Sequence, residues 1–241
     1  MKVKYPIIYQ DEHLIVINKL PHLLSVPDRY RADKPNIQEY LHQKYGRIYP
    51  VHRLDKETSG VICFAKSHEA FIHLSRAFES RNVSKIYLGL VTGVPALSEG
   101  IIDHPLLYDT QIKRTRPDKK GKVSITRYRI LESFSRFALL ELRILTGRTH
   151  QIRANVQLMG HPLIVDKMYG GQDSFFLSQI KSSYKKKDKP ERALISRVPL
   201  HASKLTVPPL VSDVTYSWEA PLPKDMKAVL AQLRKQSVVP G

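Results

Sequence analysis

"VHRLDKETSGVICFAK", residues 51–66, sets a dense run of charge directly against an apolar one. His52, Arg53, Asp55, Lys56 and Glu57 lead into Thr58-Ser59-Gly60. VICFAK follows, short and partly β-branched, and reads as a buried strand. A carboxylate between an arginine and a lysine at the mouth of a core strand has two readings. Asp55 can cap the turn before the strand. Or it can sit in a largely dry cleft, kept ionised by a nearby arginine, where a carboxylate is a good nucleophile or base.

Working outward, YPIIYQDEHLIVINK (5–19) reads as a hairpin turning at Gln10-Asp11-Glu12. NIQEYLHQKYG is a short helix with Asn36 as N-cap and Gly46 as its stop. SHEAFIHLSRAFESRN is a second helix, capped by Ser67, with Ala70, Phe71, Leu74, Ala77 and Phe78 as its apolar stripe. SKIYLGLVTG alternates like a strand. KVSITRYRILES and RFALLELRIL read as a strand pair turning near Phe134-Ser135. THQIRANVQLMG and DMKAVLAQLRKQ are helical. Strands outnumber helices and often neighbour one another in sequence, so the fold class is α+β with a mixed, mainly antiparallel sheet flanked by helices.

The chain has 241 residues, 39 Lys plus Arg against 22 Asp plus Glu, and a net charge of +17. That length suits one domain, taken as 1–241 with a helical tail at 224–236. That excess of charge predicts a polyanionic partner, most simply nucleic acid. Two basic stretches stand out, 108–122 and 181–192, which read as loops. The first carries Lys113, Arg114, Arg116, Lys119, Lys120 and Lys122. Each is either a solvated face or a phosphate-contacting one. The single cysteine, Cys63, excludes a disulfide framework. No apolar run approaches the ~20 residues of a membrane span, and no secretory leader is apparent, so a cytoplasmic location is expected.

The helix at 149–159 has two faces at ~100° per residue. Ile152, Val156 and Met159 should pack on the core. His150, Arg153 and Gln157 should face solvent or a cleft. Thr146-Gly147-Arg148, between strand and helix, offers backbone N–H groups to an anion. HExxH, paired-cysteine and GxSxG patterns are absent, so no metal site or serine-hydrolase elbow is expected. A pair of carboxylates as in glycosidases stays open, since Asp55 could team with Asp166 or Asp11.

HRLDKETSG resembles the HRLDxxTSG signature of the RluA-type pseudouridine synthases. The likeness runs over about 7–220. DEHLIVINK with Pro27, KIYLGLV, GKVSITRY, LTGRTHQIR with GHPLIVD, and LHASKL are similar to that family's other motifs, in the same order. The chain departs from them at Lys19-Leu20-Pro21-His22 (usually Lys-Pro-x-Gly), Arg153-Ala154-Asn155 (usually Arg-x-His) and Val165-Asp166 (often Gly-Asp). The resemblance implies a pseudouridine synthase fold with a central active-site cleft, in a stand-alone catalytic form without the S4 RNA-binding domain of many relatives. It implies isomerisation of uridine to pseudouridine in rRNA or tRNA, with no cofactor and no metal, probing a stem-loop with a flipped uridine. Asp55 matches the catalytic aspartate, Tyr87 the tyrosine that orders the base, and Arg153 the arginine that pairs with the aspartate. Leu205 matches an apolar residue near the base, and Arg53 an arginine that holds the RNA. His52, Thr58, Arg148, His150 and Gln151, inside these motifs, and Lys113, Arg114 and Arg116, in the basic stretch, complete the expected RNA-binding set. A monomer is expected. The competing readings are a non-catalytic RNA-binding protein and a glycosidic hydrolase.

Overall fold

The computed structural model describes residues 5–28, 31, 33–181, 184, 190–210 and 215–237. In chain order the first elements are β1 (Ile7–Gln10), β2 (Leu14–Lys19), α1 (Ile37–Tyr45), β3 (Tyr49–Pro50), β4 (Ser59–Ala65) and α2 (His68–Glu79). Next come β5 (Ser84–Thr92), β6 (Glu99–Asp103), β7 (Leu106–Asp109), β8 (Arg114–Pro117), β9 (Ile125–Ser133) and β10 (Phe137–Ile144). The last are α3 (Gln151–Leu158), β11 (Leu200–Val207), β12 (Tyr216–Glu219) and α4 (Lys224–Ser237). The mixture is α+β, as the alternation of the sequence predicts. The chain packs as two compact units, Met1–Tyr87 with His201–Pro221 and Leu88–Leu200 with Leu222–Gly241.

In the first unit the strand order is β1-β2-β4-β11-β5, with β12 on β11 and β3 on β4. β1 and β2 are antiparallel, as are β2 and β4, which run from Leu14 opposite Ala65 to Lys19 opposite Gly60. β4 and β11 are parallel, through His201 opposite Ser59 and Ala202 opposite Gly60. All seven residues of β4 are buried, which is why VICFAK is apolar without alternation. Leu14, Val16, Val61 and Cys63 form a core with Leu205 and Trp218, on which α2 lays Ala70 and Leu74. The Asn36 and Ser67 side chains cap α1 and α2, accepting from the Glu39 and Ala70 N–H groups. Gly60 is required where β4 meets β11. Its φ is +117°, and a Cβ would lie 2.1 Å from the Ala202 carbonyl oxygen.

In the second unit the order is β5-β10-β9-β6, with β9 antiparallel to both neighbours. The Phe134 N–H donates to the Phe137 carbonyl and closes the expected β9–β10 turn. α4 buries Met226, Val229, Leu230 and Leu233 against a core that includes Leu90, Leu139 and Phe175. Arg197 grips Asp225 at the start of α4 through two hydrogen bonds of 2.7 and 2.8 Å. The stretch 108–122 is not simply a loop. Its first part belongs to a separate two-stranded hairpin, β7–β8, with Leu106 opposite Pro117 and Asp109 opposite Arg114. Its polar and charged residues mask the two short strands in sequence. The other basic stretch, 181–192, lies mostly outside the described residues.

Candidate active site

Asp55 and Tyr87 belong to the first unit, Arg153 to the second.

In the first unit, the loop between β3 and β4 carries Asp55 and is held at several points. Buried Ser25 accepts the Leu54 N–H at 3.0 Å and donates to the Leu54 carbonyl at 2.9 Å. Lys19, wholly buried at the end of β2, donates from Nζ to the carbonyls of Leu20 and Lys56, each at 3.0 Å. An ammonium in such a place needs carbonyl partners of this kind, because an uncompensated buried charge is costly. The Thr58 N–H donates to the Asp55 carbonyl at 3.1 Å and closes the turn. Backbone atoms on both sides of Asp55 are therefore fixed, while the Asp55 side chain is half-buried. Tyr87 is 8% exposed. Burial, and then the Asp55 charge, push its hydroxyl far above the usual tyrosine range. The phenol thus stays protonated within electrostatic reach of the carboxylate.

The other expected residues of this unit divide. Arg53 is exposed. Thr58 is buried in the turn. Leu205 is a core residue of β11 opposite Trp218. His52 serves the scaffold. Its Nε2 accepts the Cys63 N–H at 3.0 Å, and its ring stacks on Phe78 at 4.8 Å. Burial, aided by the Lys85 charge, lowers it to about 3, so the ring is neutral at physiological pH. His22, where the family's glycine is usual, holds a left-handed φ of 66° and pairs with Glu57 at 2.8 Å. The Ser59 hydroxyl and His201 Nδ1 lie 3.0 Å apart, tying β4 to β11.

In the second unit, Arg153 is 7% exposed. Its Nε and Nη2 donate to the two carboxylate oxygens of Asp166, each at 2.7 Å. Its guanidinium also lies over the Tyr169 ring, 4.8 Å from the centroid. The expected polar stripe of α3 therefore faces a packed cluster rather than open solvent. His150 Nδ1 lies 3.1 Å from the Tyr169 hydroxyl, and Gln157 accepts from Arg114 Nη2 at 3.1 Å. Met159, expected in the core, is only half-buried, because it is the C-cap residue just past the end of α3.

Gln151 is committed to the fold. Its Oε1 accepts from the Thr146 hydroxyl and the Arg148 N–H, and its Nε2 donates to the Ile125 carbonyl and the Thr126 hydroxyl. At the Thr146-Gly147-Arg148 junction the Arg148 N–H is thus already taken by a side chain. Arg148 itself donates from Nε to the Val123 carbonyl. Lys113 and Arg116 are exposed on the hairpin, and Arg114 is half-buried. Asp166 has both oxygens on Arg153, so it is not the second carboxylate of a glycosidase pair. Asp11 is likewise occupied, accepting from Tyr9 and from the His13 and Leu14 N–H groups. Among the described residues, no group of three His, Cys, Asp or Glu side chains could hold a metal ion.

Sequence reasoning missed Lys19, Ser25, Asp166 as the partner of Arg153, and Tyr169. The signal for Lys19 and Asp166 lay at the ends of two quoted motifs, DEHLIVINK and GHPLIVD. Nothing in local pattern singles out Ser25 or Tyr169.

A family model described as RNA pseudouridylate synthase matches residues 13–158. The dual-specificity RNA pseudouridine synthase RluA of Salmonella typhimurium is 36% identical over 207 residues, covering 83% of this chain and 85% of the relative. The ribosomal large subunit pseudouridine synthase D of Pseudomonas aeruginosa is 34% identical over 239 residues, covering 97% and 73%. The solved structure of human RNA pseudouridylate synthase domain containing 4 superposes with a TM-score of 0.71 at 24% identity, covering 95% and 93%, which shows the shared fold. The chain belongs to the RNA pseudouridylate synthase family. As such it is an RNA-modifying isomerase.

Proposed function

We propose that this enzyme converts uridines of rRNA or tRNA to pseudouridine, with Asp55 as its catalytic carboxylate and without a cofactor. What supports the carboxylate's role is the anchoring of its loop: backbone on either side of Asp55 is tied to buried Ser25 and Lys19. Preorganised charge is worth most where it need not move during the reaction. The ribosomal and dual-specificity names of the relatives support the RNA class.

The reaction breaks the C1′–N1 bond, turns the uracil, and joins C1′ to C5. N1 ends with a proton and C5 loses one, so atoms balance without a cosubstrate. Positive character builds at C1′ as the first bond breaks, and the ionised Asp55 stabilises it. Tyr87, protonated and mostly buried, lies against the base. Arg153, which Asp166 fixes in one orientation, supplies the counter-charge that the motif resemblance assigns to it. The target base must leave its stack to be reached, at a cost of a few kcal/mol. Phosphate contacts from Arg53, Lys113 and Arg116 offset that cost. This reading carries with it a cytoplasmic location.

The test is treatment of uridine-labelled rRNA and tRNA with the purified protein, followed by nucleoside mass analysis. An isomer of unchanged mass at a specific position supports the reading. Free uracil with an abasic site would make the protein a hydrolase. Unaltered RNA that is nonetheless bound would make it a binding protein.

A further inference from the structure

We propose that Tyr169 is a positioning residue that couples the basic hairpin β7–β8 to Arg153. The inference rests on the reading of Arg153 as part of the active site.

Tyr169 is wholly buried. Its hydroxyl accepts the Thr115 N–H, in the middle of β8, at 2.7 Å. The same oxygen lies 3.1 Å from His150 Nδ1. Its ring meets two guanidiniums, Arg114 of the hairpin at 5.1 Å from the centroid and Arg153 of α3 at 4.8 Å. Leu106 of β7, Ala154 of α3 and Tyr169 form a small core of their own. The Thr115 hydroxyl donates to the Thr149 carbonyl at 2.7 Å, and Arg114 reaches Gln157. Finally, the Tyr169 N–H donates to the carbonyl of Asp166, whose carboxylate holds Arg153.

A two-stranded ribbon has little stability of its own. This one is seated by the Tyr169 phenol together with the Thr115–Thr149 and Arg114–Gln157 hydrogen bonds, and only the phenol also touches Arg153. Its exposed face carries Lys113 and Arg116, charges suited to phosphate. Displacing the hairpin moves Arg114, and Arg114 shares the Tyr169 ring with Arg153. RNA phosphates that seat the hairpin therefore also hold Arg153 in its Asp166-paired orientation. The hydroxyl serves docking of the hairpin. The ring serves the orientation of Arg153.

Two variants separate these roles. Tyr169→Phe keeps the ring and deletes the hydroxyl, leaving the buried Thr115 N–H unpaired. It should speed hydrogen exchange at the Thr115 amide, raise KM and the RNA dissociation constant roughly tenfold, and leave the single-turnover rate at saturating RNA within about twofold. Tyr169→Leu removes the ring as well and should also lower that saturating rate about tenfold or more. A Tyr169→Phe protein with unchanged Thr115 exchange and unchanged KM would overturn the proposal. So would one whose saturating rate falls while RNA affinity stays at the wild-type value. Thr115 exchange and RNA binding need no turnover. If the wild-type protein forms no pseudouridine, the functional reading fails, and these two readouts still decide whether Tyr169 seats the hairpin.

Discussion

Arg153 and Asp166 are joined by two hydrogen bonds of 2.7 Å in a side-by-side fork, with the Asp166 side chain almost wholly buried. This geometry suits the planar guanidinium and no other cation. Removing Asp166 strips the buried guanidinium of both hydrogen bonds of the fork. We predict that Asp166→Ala costs about 3–5 kcal/mol of stability, measured by urea unfolding. Arg153→Lys should lose activity even where it folds, since a lysine cannot reproduce the fork. A fully active Arg153→Lys variant would show that the fork has no catalytic consequence.

Gly60 allows β4 and β11 to approach. A methyl group there meets the Ala202 carbonyl at 2.1 Å, in a backbone conformation that alanine disfavours. Overpacking and backbone strain together predict a loss of about 3 kcal/mol or more for Gly60→Ala. Soluble expression and the urea midpoint read it. The Ser59–His201 link should be lost with it.

Much of this was legible before any coordinates. The hairpin at 5–19, the two capped helices and the buried VICFAK strand follow from caps and periodicity, and the structure places each where expected. Position alone leaves Asp55 open to an ordinary role as a turn cap, and it is the resemblance of HRLDKETSG to a family signature that singles it out. What local pattern could not give was long-range pairing. Asp166 meets Arg153 across thirteen positions, and Tyr169 meets Thr115 across fifty-four. Gln151 is expected among the RNA-binding residues, yet its polar atoms turn inward to Thr146, Arg148, Ile125 and Thr126. The β7–β8 ribbon was hidden by basic residues that lack strand alternation.

His52 predicts a pH dependence of stability. Its folded value is lowered to about 3, while in the unfolded chain it titrates near 6.5. Between these values the unfolded state binds the extra proton. Stability is therefore full above about pH 6.5 and falls as pH drops toward 3. At pH 5 the loss from this group approaches about 2 kcal/mol. His52→Gln, titrated by urea unfolding at pH 7 and pH 5, should show a smaller difference between the two than the wild type.

The exposed hairpin charges predict a salt effect. Each phosphate contact contributes roughly 0.7–0.9 to the slope of log affinity against log salt. Replacing Lys113, Arg116, Lys119 and Lys120 by glutamine should flatten that slope and raise KM more than it lowers the saturating rate. An unchanged slope would make this a solvated face.

The central claim is that the Asp55 carboxylate performs the chemistry and little of the binding. The most direct test is Asp55→Asn, assayed for pseudouridine at saturating RNA alongside an RNA-binding titration. The amide keeps the size of the side chain and removes its charge. We predict turnover below about a hundredth of wild type, a loss of more than about 2.7 kcal/mol in transition-state stabilisation, with RNA affinity within a few-fold. Turnover near the wild-type rate in this variant would contradict the account.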